Sequence, residues 1–239
     1  MRPEREETLG ALILAVRPQG EADCRVEAVS AERGRLSAWA RGLRRPRAKL
    51  GGVLQPFTLV ALTIHHGKSR VIIGAETLDG FRALKEDYVR LTAAALLAEL
   101  LLAVVPADEP AEEVLGLSVA ALSAMARDAE PLLPLLAVLR DLLQLLGWGV
   151  DAETCAVCGE RLTGDCYLKL EEGTVSHGRC RRQGMALDAA ALATLAGPET
   201  GPSLVGLEAL AQLWQMHLER PLKSLPAVRA AFRHLLAAD

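Results

Sequence analysis

The spacing of apolar residues changes once along this chain, near residue 80, and that switch excludes any fold built from a single kind of element. Before it, Glu7–Val16, Cys24–Ser30, Gly34–Ala40, Phe57–His65 and Arg70–Ala75 are short runs, several of them alternating or β-branched. Such runs read as strands whose successive side chains face opposite sides. Turn signals separate them at Arg17-Pro-Gln-Gly20, Ala31-Glu-Arg-Gly34 and His66-Gly-Lys-Ser69. Five short strands in succession suggest a small closed or partly open barrel, and closure removes exposed strand edges.

From Leu84 onward, Leu, Ala and Val recur at three- and four-residue spacing. The spacing predicts helices over Tyr88–Val105, Ala111–Met125 and Leu132–Leu146, punctuated by Pro106, Pro110, Pro131 and Gly147. Two more helical patterns run from about Ser203 to Leu218 and from Leu225 to Leu236. Between the third and fourth lies Thr154–Gly184, rich in Gly and Cys and without helical periodicity. The expected organisation is therefore α+β and multidomain: a barrel over 1–80, a helical domain over 81–153 and 185–239, and an insert over 154–184. No internal repeat is visible.

Composition matters once it is resolved by segment. With 51% hydrophobic residues over 239 positions the chain can bury a core, which excludes disorder for most of it. The net charge of −3 conceals a basic head: residues 1–78 hold 13 basic and 8 acidic residues (+5), residues 79–153 hold 5 and 13 (−8), and residues 154–239 hold 9 of each. The stretch Met1–Thr8 lacks the basic-then-apolar plan of a leader. Ala93–Val105 and Leu132–Leu146 carry charges and fall short of the roughly 20 residues that span a bilayer. Five Cys are too few and too uneven for a secreted disulfide scaffold. The expectation is a soluble protein of a reducing compartment, with no membrane partner.

Two groups of residues carry chemistry. From Arg33 to Lys49 there are seven basic residues (Arg33, Arg35, Arg41, Arg44, Arg45, Arg47 and Lys49) and no acidic one. Lys68 and Arg70, on a later turn, can extend the same surface. A bland reading is a solvated, solubilising loop. Set beside a small barrel, the run reads instead as a nucleic-acid interface, because guanidinium groups bind phosphates bidentately and counterion release drives association. Trp39 and Phe57 are the only aromatics in residues 1–78. Either can stack on a base, but at alternating strand positions core packing is the expectation for both, so binding should be mainly electrostatic.

The second group is Cys155-Ala-Val-Cys158-Gly159 and, with eighteen residues between Cys158 and His177, His177-Gly-Arg-Cys180. Two pairs of ligands, each separated by two residues, can wrap a tetrahedral Zn²⁺, and glycine after the second Cys frees the amides to turn toward the thiolates. The interval suits two short strands, around Tyr167–Leu170 and Thr174–Ser176. Cys166 is an alternative to His177 as fourth ligand. Four protein ligands close the coordination sphere, so the metal would be structural. A catalytic reading fails: no deaminase pattern, P-loop, Gly-x-Gly-x-x-Gly run or nucleophile elbow is present. His217 and His234, within helical patterns, read as surface or capping residues.

Taken in order, these pieces resemble the RecO family of bacterial recombination mediators. The resemblance is carried by Gly10-Ala-Leu-Ile-Leu14, Gly20-Glu-Ala-Asp23, Glu32-Arg-Gly34, Ala40-Arg-Gly42-Leu-Arg-Arg45, Leu54-Gln-Pro-Phe57, Cys155-Ala-Val-Cys158-Gly159 and Pro221-Leu-Lys-Ser-Leu225. It implies an N-terminal OB-fold β-barrel, an α-helical domain and a zinc finger lodged within it. It also implies binding of single- and double-stranded DNA, annealing of complementary strands and, with RecR, help in loading RecA onto strands coated by single-strand binding protein. A cytoplasmic, nucleoid-associated place in a bacterium follows from the same resemblance. Zinc-bearing relatives typically carry a second Cys pair where this chain has His177 and Cys180. Arg127, Arg140, Lys223 and Arg229 are candidates for pairing with the acidic tail of single-strand binding protein. The competing expectation is a zinc-ribbon adaptor that binds an acidic protein and no DNA.

Overall fold

The computed structural model describes residues 6–197, 201 and 203–236; Met1–Arg5, the first part of the segment read for a leader, lie outside the described residues. The chain divides into two compact units, Met1–Lys85 with Ala98–Ser123, and Glu86–Leu97 with Ala124–Asp239.

In the first unit, β1 (Glu6–Gln19), β2 (Asp23–Ser30), β3 (Gly34–Ala40), β4 (Thr58–His66) and β5 (Arg70–Asp79) close into a barrel of order β1-β2-β3-β5-β4. All pairings are antiparallel except the closing one, where Trp39 of β3 lies parallel to Val71 of β5. The barrel fills because one parity of each strand is apolar: Leu9, Ala11 and Ile13, Val26 and Ala28, Leu36, Ala38 and Ala40, Val60, Leu62 and Ile64, and Ile72 all point inward. Register irregularities interrupt β1 between Ile13 and Ala15 and the β4–β5 pair between Thr63 and Ile64. Phe57 enters the core, 8% exposed, as expected. Trp39 does not, contrary to the expectation from alternation. Its neighbours Ala38 and Ala40 take the interior, which leaves Trp39 half-buried on the outer face with Arg35 and Ser37.

Gly34 opens β3 at a point where chain crosses chain. Its φ is +55°, and a Cβ there would meet the Glu109 carbonyl oxygen at 2.3 Å and the Pro106 oxygen at 2.7 Å. The close approach lets the Arg35 amide donate to Pro106 O at 2.9 Å and the Ala111 amide to Ala31 O at 2.8 Å, so the Pro106–Ala111 segment is pinned to the barrel. Gly34→Ala is expected to destabilise this unit by about 2 kcal/mol, through left-handed strain plus the forced separation of backbones. A lower urea midpoint at unchanged slope is the readout.

Beyond the barrel the chain is helical. It runs from α1 (Arg82–Glu86) into α2 (Tyr88–Val104), α3 (Glu112–Arg127) and α4 (Leu132–Leu145), close to the periodicity read from sequence; residues 82–85, 98–104 and 112–123 of these helices belong to the first unit and the rest to the second. After the insert come α5 (Ala189–Ala196), α6 (Leu204–Leu218) and α7 (Leu225–Leu236). Within the unit α4 packs on α5 and α6, and α6 on α7. Leu135, Leu139, Leu142, Leu207, Leu210 and Leu213 are buried around Trp214, whose indole N–H donates to Leu139 O at 3.1 Å. Trp148 packs edge-on against Trp214 and lies flat on His217, centroids 4.7 Å apart, so His217 closes the end of α6 rather than standing free. Asp188 caps α5 by accepting from the Ala191 amide at 2.7 Å, and Ser203 caps α6 in the same way from Gly206 at 2.9 Å. The insert supplies β6 (Cys166–Lys169) and β7 (Thr174–His177), and β8 (Met185–Leu187), just beyond it, completes a three-stranded sheet with β6 in the middle.

Candidate metal centre and nucleic-acid interface

The metal-type cluster is assembled by two tight turns. Asp151 Oδ2 accepts from the Thr154 hydroxyl and Oδ1 from the amides of Glu153 (2.8 Å) and Thr154 (3.1 Å); the hydroxyl first, and then this Asx turn, hold the carboxyl group below its usual pKa range. From there Cys155 enters a hook: its amide donates to Glu160 O at 2.8 Å, and its carbonyl accepts from Gly159 N at 2.8 Å. Gly159 turns the chain at φ +72°, which is the freedom that the glycine after the second Cys supplies. On the other side β7 ends at His177, whose carbonyl accepts from the amides of Cys180 and Arg181, both at 2.9 Å, and this turn carries Cys180 back to the hook.

The result brings together Cys155, Cys158, His177 and Cys180, with one ligand atom from each lying within 4.8 Å of the others. The His177 ring presents Nδ1 to Cys158 Sγ at 3.5 Å, while Nε2 faces Arg161 O at 3.1 Å. Nε2 also lies 3.3 Å from the Thr163 amide nitrogen, so Thr163 N and Arg161 O are the outer partners that orient the ring while Nδ1 faces the thiols. Burial pushes the Cys155 thiol up, but hydrogen bonds from the amides of Cys158, His177 and Val157, and from the Cys158 thiol, outweigh it and bring the pKa to about 6. Desolvation and the neighbouring Cys158 and Cys155 raise Cys180. Arg179 sits beside Cys158 and Cys180 and pairs with Glu160, so a cation stands next to a donor set that carries net negative charge with a divalent ion bound. The donor set, three thiols and an imidazole, fits a tetrahedral ion of the zinc type. Cys166 lies outside the cluster: it faces His177 across β6–β7, and its Sγ turns to Thr163 O at 3.8 Å.

The basic run is an ordered cap on one end of the barrel. Between β3 and β4 the chain advances by turns, with Arg45 N to Gly42 O at 3.0 Å, Ala48 N to Arg45 O at 3.1 Å and Gly51 N to Ala48 O at 3.1 Å. Leu43, Leu50, Val53 and Leu54 pack down onto the barrel core. Two segments quoted separately in the sequence close on each other here: Asp23 Oδ1 accepts from Gly42 N at 2.7 Å, and Arg44 N donates to Ala22 O at 2.9 Å. The Arg44 side chain reaches Gly20 O at 3.2 Å.

With the leucines turned in, Arg41, Arg44, Arg45, Arg47 and Lys49 are exposed, as is Lys68 on the β4–β5 turn. None of these six forms an ion pair with a described residue. The other three residues of the basic set are engaged: Arg33 pairs with Glu7 at 3.2 Å, Arg35 donates to Leu102 O at 2.8 Å, and Arg70 pairs with Asp108. In the second unit Arg229 holds Glu208 in a bidentate pair at 2.5 Å, Arg140 pairs with Asp141 at 2.8 Å, Lys223 has a partner of its own and Arg127 is exposed.

A five-stranded barrel of this strand order is an OB-fold, so the first unit places the chain among OB-fold proteins, here followed by a helical unit with a candidate metal ribbon. Residues 1–81 match the family described as recombination protein O, N terminal, and residues 85–197 match recombination protein O, C terminal. The chain belongs to the RecO family of DNA repair proteins. It is 34% identical over 185 residues to the DNA repair protein RecO of Anaeromyxobacter dehalogenans strain 2CP-C, covering 74% of this chain and 71% of that protein. To the RecO of Synechococcus sp. strain JA-2-3B'a(2-13) it is 32% identical over 222 residues, 87% of this chain and 74% of the other. To the RecO of Anaeromyxobacter dehalogenans strain 2CP-1 the identity is 36% over 163 residues, which span 65% of this chain and 62% of that relative. Among the described residues no helix is long and apolar enough to cross a membrane.

Proposed function

We propose that this chain binds single- and double-stranded DNA through the capped end of its barrel, anneals complementary strands and, with RecR, helps load RecA onto strands covered by single-strand binding protein. One observation carries the reading: an arginine-rich segment is folded so that its leucines are consumed by the barrel, while Arg41, Arg44, Arg45, Arg47 and Lys49 are left outward with no ion pair among the described residues. Such a surface self-repels until polyanion neutralises it. Arg41, Arg44, Arg45, Arg47, Lys49 and Lys68 take phosphates, and Arg33, Arg35 and Arg70 flank them while tying the barrel to its own neighbours. Neutralising one strand lowers its repulsion toward a second, which favours pairing without covalent chemistry. The protein acts as a mediator and not as an enzyme.

In this reading residues 1–80 are the DNA-binding domain, 81–153 and 185–239 the partner-facing helical domain and 154–184 a zinc finger. Cys155, Cys158, His177 and Cys180 hold one structural zinc. Arg127, Arg140, Lys223 and Arg229 lie in the domain that would meet the acidic tail of single-strand binding protein, and the protein works at the nucleoid. Complementary oligonucleotides coated with the cognate single-strand binding protein should anneal faster when the chain is added. Unchanged annealing, with binding to the coating protein intact, would identify a zinc-ribbon adaptor instead.

A further inference from the structure

Beside the cap, the outer wall of the barrel carries a feature that phosphate binding does not use. Reading across the strands, Glu6, His65, Val71, Trp39 and Arg25 are successive neighbours in register and form one row on the outside. Next to this row a hollow of ≈ 370 Å³ is lined by Arg41, His65, Gly67, Lys68, Ser69, Val71 and Ile73, and Trp39 adjoins it as the register partner of Val71. That volume lies in the range of small-ligand sites, roughly 300–1,000 Å³. Ile73 is the extra residue where β5 passes from its Ile64↔Ile72 pair to its Thr63↔Gly74 pair, and 47% of it is exposed. A bulge re-aims a side chain at the expense of regular pairing, and here it delivers an isoleucine to solvent in the same hollow as Val71, the register partner of half-buried Trp39. The hollow's lining holds two cations, Arg41 and Lys68, and no carboxylate; the nearest one in the row, Glu6, lies 3.9 Å from His65 Nδ1.

We propose that this hollow is a base-binding subsite, in which unstacked bases of a single strand lie against Trp39, Val71 and Ile73 while their phosphates reach Arg41 and Lys68. The inference rests on the reading of the adjoining cap as a phosphate-binding surface and adds to it a means of telling single strand from duplex. Bases within a duplex spend both faces on their neighbours, whereas a single strand can offer a face to an apolar wall. Trp39 lies on β3 two residues before Arg41, which opens the turn after the strand, so platform and first cap cation are neighbours in the chain. The cations decide the occupant: an apolar peptide would gain nothing from Arg41 and Lys68, and a polyanion with exposed aromatic bases uses every group in the hollow.

The test compares a 12-nucleotide oligothymidylate with an abasic oligonucleotide of the same length and charge, titrated onto the full chain. The natural protein should bind the thymidylate about 10-fold more tightly than the abasic strand. Ile73→Ser and Trp39→Ser should bring that ratio close to one while leaving the salt dependence unchanged, and Trp39→Phe should restore it. Ile73 is exposed, so its variant reports even if Trp39→Ser fails to fold. Equal affinity of the natural protein for both strands, with a steep salt dependence, overturns the subsite and leaves the phosphate reading standing. So does a ratio that survives both serine variants. Salt-independent or absent binding of either strand overturns both readings together.

Discussion

In a Cys158→Ser variant the chain should lose its bound metal, and amide exchange across Cys155–Cys180 should rise by about 100-fold, or about 2.7 kcal/mol, while β1–β5 keep their protection. The size follows from what holds the ribbon together. Beyond its short strands, the hook and the His177–Cys180 turn are joined by the four donors and by the exposed Arg179–Glu160 pair: Cys158 is exposed, and His177 meets the hook through Cys158 Sγ and Cys155 Sγ. Structural zinc contributes about 10–16 kcal/mol in small zinc-finger peptides, so even a fraction of it dominates a segment this poor in core. Chelation of the natural protein should reproduce the effect, and elemental analysis should find one zinc per chain before and none after. Cys166→Ser is the control. That thiol is buried and pushed upward by burial first and by the charges on Cys155 and Asp165 second, and it is directed at Thr163 O, so the variant should retain metal. Metal retained by Cys158→Ser would remove Cys158 from the ligand set.

The parts legible in the sequence and the parts that were not separate on physical grounds. Strand alternation found the barrel because its interior admits one parity, and the spacing of Leu and Ala found α2, α3 and α4 to within two residues at each end. The helix α5 was missed because Ala189–Ala196 is mostly alanine, which marks neither a polar nor an apolar face; its signals were the cap residue Asp188 and the terminal Gly197. β8 was missed because three residues carry no period, although they complete the sheet around β6. Spacing brought out the two ligand pairs but left Cys166 open against His177. The reason is that the two face each other across β6–β7, and only the direction of each side chain separates them.

The outward placement of Trp39 had a signal that alternation alone hides. Arg35, Ser37, Trp39 and Arg41 share one parity, and three of those four are polar, whereas the opposite parity holds Leu36, Ala38 and Ala40. Counting apolar residues on each face favours neither decisively, because alanine is small. The charge at either end of the set decides it. The closure of Gly20–Asp23 on Gly42–Arg44 was beyond reach from spacing, since it depends on the Asp23 carboxylate meeting an amide nineteen residues away.

Replacing Arg44, Arg45 and Arg47 together by Ala should flatten the salt dependence of single-strand binding. If the cap holds about five phosphates, log affinity falls with log salt at a slope of roughly −3.5, and removing three of them leaves about −1.4. Between 50 and 200 mM salt the natural protein should then weaken by about 100-fold and the variant by about 7-fold. Stability should change little, within about 0.5 kcal/mol, because the cap is held by turn hydrogen bonds and by Leu43, Leu50, Val53 and Leu54, none of which is altered. Among the described residues Arg44 alone of the three has a side-chain bond to hold, to Gly20 O, and its backbone link to Ala22 O persists in the variant. Arg47 sits at φ 64°, and alanine there inherits the same backbone conformation with no added clash. The effect on DNA therefore reads out charge and not folding. A slope that stays near the natural value would move the phosphate contacts off the cap, to the cations of the second unit, and with them the surface on which two strands are brought together.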